Sequence, residues 1–164
     1  MSDNYAVING KRVELTDEQV KALGIETRKN PFDRVEQFSK YYRITDYSAV
    51  DDYVENNDYT DQHLYASINY FNDKEFAQQV ALHQLLYRKL LKFAYDNECE
   101  DTAEWDGRNL HWCIYYDNNS NIFGTKSYNV IQHSNIYFST RNSAEHAIKE
   151  VVEPFVKEHP DFVW

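Results

Sequence analysis

The chain has 164 residues, 42% of them hydrophobic and 16% aromatic, and its 17 basic and 27 acidic side chains leave a formal net charge of −10. That length implies one domain with at most a small appendage, the many large rings exclude low-complexity disorder, and no apolar run approaches the roughly 18 residues that cross a bilayer. An acidic balance of this size argues against direct nucleic-acid binding by a basic surface. The start, Met1-Ser2-Asp3-Asn4-Tyr5, lacks the basic residues and apolar run of a secretory leader. Two cysteines cannot build a disulfide framework, so a reduced, cytoplasmic protein is expected.

Residues 1–30 read as a small ββα unit, separate from a main domain over residues 31–164. Tyr5-Ala6-Val7-Ile8 and Lys11-Arg12-Val13-Glu14-Leu15 flank Asn9-Gly10, a pair suited to a tight hairpin because both turn residues take positive φ. Thr16 and Gln19 form a capping box for a short helix over Asp17 to Leu23, which Gly24 ends. Arg28-Lys29-Asn30-Pro31 is the connector, and Pro31 disfavours helix at Asn30.

In the main domain Tyr41-Tyr42-Arg43-Ile44 is a short aromatic, β-branched strand. Asn72 and Glu75 suggest a second capping box. It opens a helix from Asp73 to Tyr95, where Phe76, Val80, His83, Tyr87, Leu90 and Ala94 recur at helical spacing and His83 joins the apolar stripe. Three strand-like runs follow: 110–116, 127–131 and 135–138, the first closed by the turn cluster Asp117 to Asn121. Asn142 and Glu145 suggest a third capping box, with Pro154 expected to kink or divide the last helix. The apolar end, Phe162-Val163-Trp164, is expected to dock. The sum is an α+β fold: a small antiparallel meander packed with two main helices, plus the N-terminal ββα tab.

Charge is unevenly placed. No Lys or Arg lies between Arg43 and Lys74, where Asp46, Asp51, Asp52, Glu55, Asp58, Asp61 and Asp73 alternate with Tyr47, Tyr53, Tyr59, Tyr65 and Tyr70. A second such interval, between Lys92 and Arg108, holds Asp96, Glu98, Glu100, Asp101, Glu104 and Asp106. Spaced carboxylates offer a basic groove what a phosphate backbone offers it, and tyrosine adds rigid contact area. The candidate contact residues are therefore Asp46, Tyr47, Asp51, Asp52, Tyr53, Glu55, Asp58, Tyr59 and Asp61, with Glu98, Glu100, Asp101, Glu104 and Asp106 as a second segment. The alternative is a solvated loop and an ordinary acidic helix end. Calcium is disfavoured, because the acids lack the spacing and central glycine of an EF-hand loop.

No catalytic, cofactor or metal site is expected. The glycines stand too far apart to cradle a phosphate, and the six histidines form no paired ligand motif. His111 and Cys113 share a strand face at i, i+2, which fits a half-buried sheet better than a nucleophile and base. Glu104 and Asp106 around Trp105 read as a solvated turn.

Several segments together resemble a family of small, uncharacterised accessory proteins carried by phages and prophages of Gram-positive bacteria. They are Ile8 to Thr16, Asn30-Pro31-Phe32-Asp33-Arg34-Val35-Glu36, Tyr41 to Ile44, Leu90 to Ala94, Trp105-Asp106, Ile136 to Thr140, and Glu153-Pro154-Phe155 through Trp164. The resemblance implies a phage or mobile-element protein acting in the bacterial cytoplasm, and it carries no functional residues over. By analogy with small acidic phage proteins, anti-CRISPR proteins among them, the expected function is non-enzymatic inhibition of host defence. The expected partner is a host nuclease, such as a Cas effector, or another basic nucleic-acid-binding protein, with no membrane involved. A scaffolding protein that forms a homodimer or larger homo-oligomer is one alternative. A binder of signalling nucleotides through Arg88, Lys89 and Arg141 is another.

Overall fold

The computed structural model describes residues 5–24 and 30–164. Arg28 and Lys29 of the connector, and Met1 to Asn4, lie outside the described residues. The N-terminal hairpin pairs β1 (Tyr5–Ile8) with β2 (Lys11–Glu14), and Asn9 and Gly10 take φ 52° and 77°. Helix α1 (Asp17–Ala22) starts where Gln19 N–H donates to Thr16 Oγ1 and Thr16 N–H donates to Gln19 Oε1, a complete capping box.

The acidic tract between Arg43 and Lys74 is folded along much of its length. Strand β3 (Lys40–Ile44) pairs antiparallel with β4 (Val50–Val54), and helix α2 (Tyr59–Ala66) follows. One ladder face carries Tyr41, Arg43, Asp51 and Tyr53, and Tyr41, Tyr53, Leu64 and Tyr70 pack into a small core there. A bridge from Tyr42 to Phe71 extends the other edge of β3.

Helix α3 (Lys74–Asp96) matches the expected long helix, with its cap one residue later than expected. Asp73 accepts from Phe76 N–H, while Asn72 donates through Nδ2 to the carbonyls of Asn30 and Asp33. Buried Leu86, Leu90 and Ala94 of α3 face a second, larger core. His83, expected on the apolar stripe, is exposed, with its ring 4.8 Å from Phe162.

Strands β5 (His111–Asp117) and β6 (Ile122–Tyr128) form a hairpin. Gly124 lies opposite Tyr115, and a Cβ there would sit 2.7 Å from that ring, so only glycine lets the ring lie across the ladder. The second expected run therefore starts earlier, at Ile122. The third run joins β5 rather than β6: Phe138 bridges Trp112 on one side and Glu100 on the other.

Helix α4 (Arg141–Ala147) is capped by Thr140, which accepts from Ser143 N–H, in place of Asn142. It runs into a π-helical turn over Ile148–Val152 and then α5 (Glu153–Glu158). Pro154 has no N–H for the carbonyl one turn back, which accounts for the division. The C-terminal segment docks on α3: Gln79 Nε2 donates to Asp161 O at 2.7 Å, and Val163 N–H donates to Gln79 Oε1 at 2.9 Å. Phe162 is buried in the larger core. The architecture is α+β, as expected, with helices packed on small antiparallel sheets.

Candidate functional site

The acidic hairpin–helix unit rests on a buried polar network. Tyr41 and Tyr70 stack with ring centroids 4.0 Å apart and planes 12° from parallel. Each hydroxyl donates to a carboxylate at 2.8 Å, Tyr41 to Asp61 and Tyr70 to Glu55. Glu55 also takes a two-pronged contact from Arg34 Nε and Nη2, both at 2.9 Å, and accepts Asn57 N–H at 2.7 Å. Asp61 accepts the N–H groups of Asn56 and Asp58 while acting as the N3 partner in the α2 capping box. The Arg34 fork, with help from Tyr70 and Asn57, holds the Glu55 carboxyl below the usual carboxylate range. Burial pushes Asp61 up, but its hydrogen bonds from Tyr41 and two backbone N–H groups outweigh that, and its carboxyl also lies low.

Two expected contact residues are thereby corrected. Glu55 and Asp61 are 2% and 3% exposed and spend their charge inside the fold. The rest of the tract stays outside. Asp46, Asp51, Asp52 and Asp58 are exposed, Tyr47 and Tyr59 are 93% and 80% exposed, and Tyr53 is half-buried. Asp52 pairs with Lys40 at 2.7 Å and Asp58 caps α2, whereas Asp46 and Asp51 enter no ion pair among the described residues. Arg43 sits directly across the ladder from Asp51, yet its guanidinium turns over the Tyr53 ring, 4.2 Å from the centroid. A cleft of about 510 Å³ opens between the β3–β4 turn and α2, with Arg43, Asp46, Tyr47, Asp51 and His63 in its lining.

The second acidic segment divides in the same way. Asp101 is drawn inward, its side chain 5% exposed and 2.5 Å from Nδ1 of the fully buried His111. Trp105 lies flat on that imidazole, centroids 3.6 Å apart, and Tyr137 meets the Trp105 ring edge-on. Asp101 is therefore a structural carboxylate rather than a contact residue. Glu100 is half-buried, with Oε2 lacking a partner. Glu98, Glu104 and Asp106 are exposed, and Asp106 closes its turn by accepting the N–H groups of Arg108 and Asn109.

The residues that sequence reasoning passed over are Arg34, Tyr41 and Tyr70, which remove Glu55 and Asp61 from the surface. Their partners lie 15 to 21 residues away in the chain, beyond any local spacing signal. Among the described residues, no three His, Cys, Asp or Glu side chains converge as metal ligands would. Burial pushes the thiols of Cys99 and Cys113 up, away from the reactive thiolate. Arg88, Lys89 and Arg141 sit in different settings: Arg88 donates to Ser48, Lys89 lines a groove with Lys92 and Asp96, and Arg141 pairs with Glu145. No helix is long and apolar enough to cross a membrane among the described residues. No protein-family model, curated protein or solved structure matches the chain.

Proposed function

We propose that the chain is a non-enzymatic binding protein whose acidic, tyrosine-bearing hairpin–helix unit occupies the nucleic-acid groove of a basic host protein. One observation carries this reading. Four exposed aspartates, Asp46, Asp51, Asp52 and Asp58, share a single hairpin–helix unit with the outward rings of Tyr47 and Tyr59. The stacked tyrosines, the Arg34–Glu55 ion pair and the hydrogen-bonded Asp61 beneath give that unit a fixed frame, so the surface charges meet a partner without first being ordered. Asp46 and Asp51, which enter no ion pair among the described residues, steer encounter with a basic groove, an attraction that weakens as salt rises. With its resemblance to phage accessory proteins, the chain fits an inhibitor of host defence acting in the bacterial cytoplasm, directed at a nuclease such as a Cas effector.

The test compares the wild-type protein with the quadruple variant Asp46→Lys, Asp51→Lys, Asp52→Lys, Asp58→Asn as bait in a host lysate, at low and high salt. A basic nucleic-acid-binding protein retained by wild type alone and released by salt is the expected result. Equal retention by both baits would remove this unit from the interaction.

A second reading, self-association, is favoured by the N-terminal hairpin. It leaves Tyr5, Val7, Ile8 and Val13 exposed on a two-stranded sheet, an arrangement with little stability alone. Light scattering decides it: a salt-insensitive oligomer supports self-association, and a monomer excludes it.

A further inference from the structure

Strand β6 leaves one backbone edge open. Trp112 N–H donates to Phe138 O at 3.2 Å and Phe138 N–H to Trp112 O at 2.7 Å, so Trp112 turns its backbone polar groups away from β6. Alternation along the ladder then turns those of His111, Cys113, Tyr115 and Asp117 toward β6, where they meet Tyr128, Lys126, Gly124 and Ile122. The intervening residues Phe123, Thr125 and Ser127 aim their N–H and C=O groups outward. No hydrogen bond among the described residues uses those groups.

Proteins blunt such an edge with proline, a bulge, a very short strand or several charges. Strand β6 pairs seven residues in unbroken register, contains no proline and carries one charged residue, Lys126. The chain that leaves β6 does not return to this edge, because Phe138 pairs on the far side of β5.

The side chains fit a second β6 strand running antiparallel about Thr125. In that register Thr125 faces its own copy, Phe123 faces Ser127, and Ile122 faces Tyr128. A threonine pair and an aromatic–β-branched pair are both favourable across a ladder. Lys126 falls opposite Gly124 rather than opposite its own copy, so like charges do not meet. Gly124 has no side chain of its own, and the Tyr115 ring lies across it, which gives the incoming ammonium an aromatic neighbour. An extended peptide of arbitrary sequence would find the backbone edge but not these matched positions.

We propose that β6 is a self-association edge, at which two copies of the chain pair their β6 strands antiparallel about a two-fold axis at Thr125. The two β5–β6 hairpins become one continuous sheet, and each outward N–H of one strand donates to an outward carbonyl of the other. The proposal does not rest on the acidic unit, and it places self-association on β6 rather than on the N-terminal hairpin.

Sedimentation velocity and amide exchange of the intact chain, over a protein concentration series at low and high salt, test it. The wild type should form a dimer that persists at high salt, with protection of the Phe123, Thr125 and Ser127 amides rising with protein concentration. Thr125→Pro removes an N–H that faces away from β5, so the hairpin ladder is kept while both bonds across the axis are lost. Dimerisation should then weaken about thirtyfold, the equivalent of two backbone hydrogen bonds. Lys126→Glu, at an exposed position, should weaken it about threefold through loss of the contact with the Tyr115 ring. The wild-type amide pattern decides the matter even where the proline variant fails to fold. A wild type that stays monomeric at millimolar concentration overturns the proposal and the self-association reading together. A dimer that leaves these three amides exchanging independently of concentration, or that Thr125→Pro forms as tightly, overturns the β6 assignment alone and returns self-association to the N-terminal hairpin.

Discussion

Glutamine in place of Glu55 tests whether this carboxylate belongs to the fold or to the contact surface. The side chain is 3% exposed and accepts four hydrogen bonds, two from Arg34 and one each from Tyr70 and Asn57. Glutamine preserves the shape, but its NH₂ faces donors, so bonds at one oxygen position are lost and those at the other weaken. Hydrogen bonds to a charged group contribute about 1.5–3 kcal/mol each, against about 0.5–1.5 for neutral pairs. Arg34 is 32% exposed and can turn to water, which limits the penalty. The expected loss is about 3 kcal/mol, at the low end of the range for breaking a buried pair. For a chain of this size that lowers Tm by roughly 6–12 °C. Denaturant unfolding followed by circular dichroism measures it. A loss below about 1 kcal/mol would refute the structural role and return Glu55 to the candidate surface.

Three further expectations follow from the same geometry. Glu55 and Asp61 have depressed carboxyl pKa values in the folded chain, so the unfolded chain binds more protons in the acid range and stability there rises with pH. Their contribution is complete only about a pH unit above the unfolded carboxyl values of roughly 4 and is lost as pH falls through the folded values, so Glu55→Gln should flatten the acid limb of the stability–pH curve. Ile68, exposed just past the end of α2, holds a left-handed φ of 58°, so Ile68→Gly should stabilise the protein by about 1 kcal/mol; destabilisation in a thermal melt would mean that the isoleucine packs in the folded state. Gln79→Ala should cost about 1–2 kcal/mol by removing both hydrogen bonds to the C-terminal segment, with faster amide exchange at Val163 as a local readout.

The parts of the fold legible in sequence are those set by local chemistry. Asn9-Gly10 marked the hairpin because both residues take positive φ, and the repeating apolar positions of α3 marked a helix that buries Leu86, Leu90 and Ala94. Caps were legible only to within a residue or two, since neighbouring polar residues compete for each role. Asn72 ties down the Asn30 and Asp33 carbonyls, which leaves capping to Asp73. Strand order was hidden because Phe138 pairs with Trp112 across the hairpin's other edge, a contact that spacing does not encode. The acidic tract was legible as a concentration of charge, but the division between its buried and exposed acids was not. Asp51 and Glu55 look alike in sequence, and only the return of Arg34 and Tyr70 to one side of the sheet separates their roles.

The central claim is that the acidic hairpin–helix unit occupies the place of nucleic acid on a basic partner. Displacement of a fluorescent DNA duplex from the captured partner tests it most directly. The wild-type protein should release the duplex competitively, less well as salt rises, and the quadruple variant at Asp46, Asp51, Asp52 and Asp58 should not. A ternary complex of partner, duplex and protein, or equal displacement by the variant, would contradict the claim.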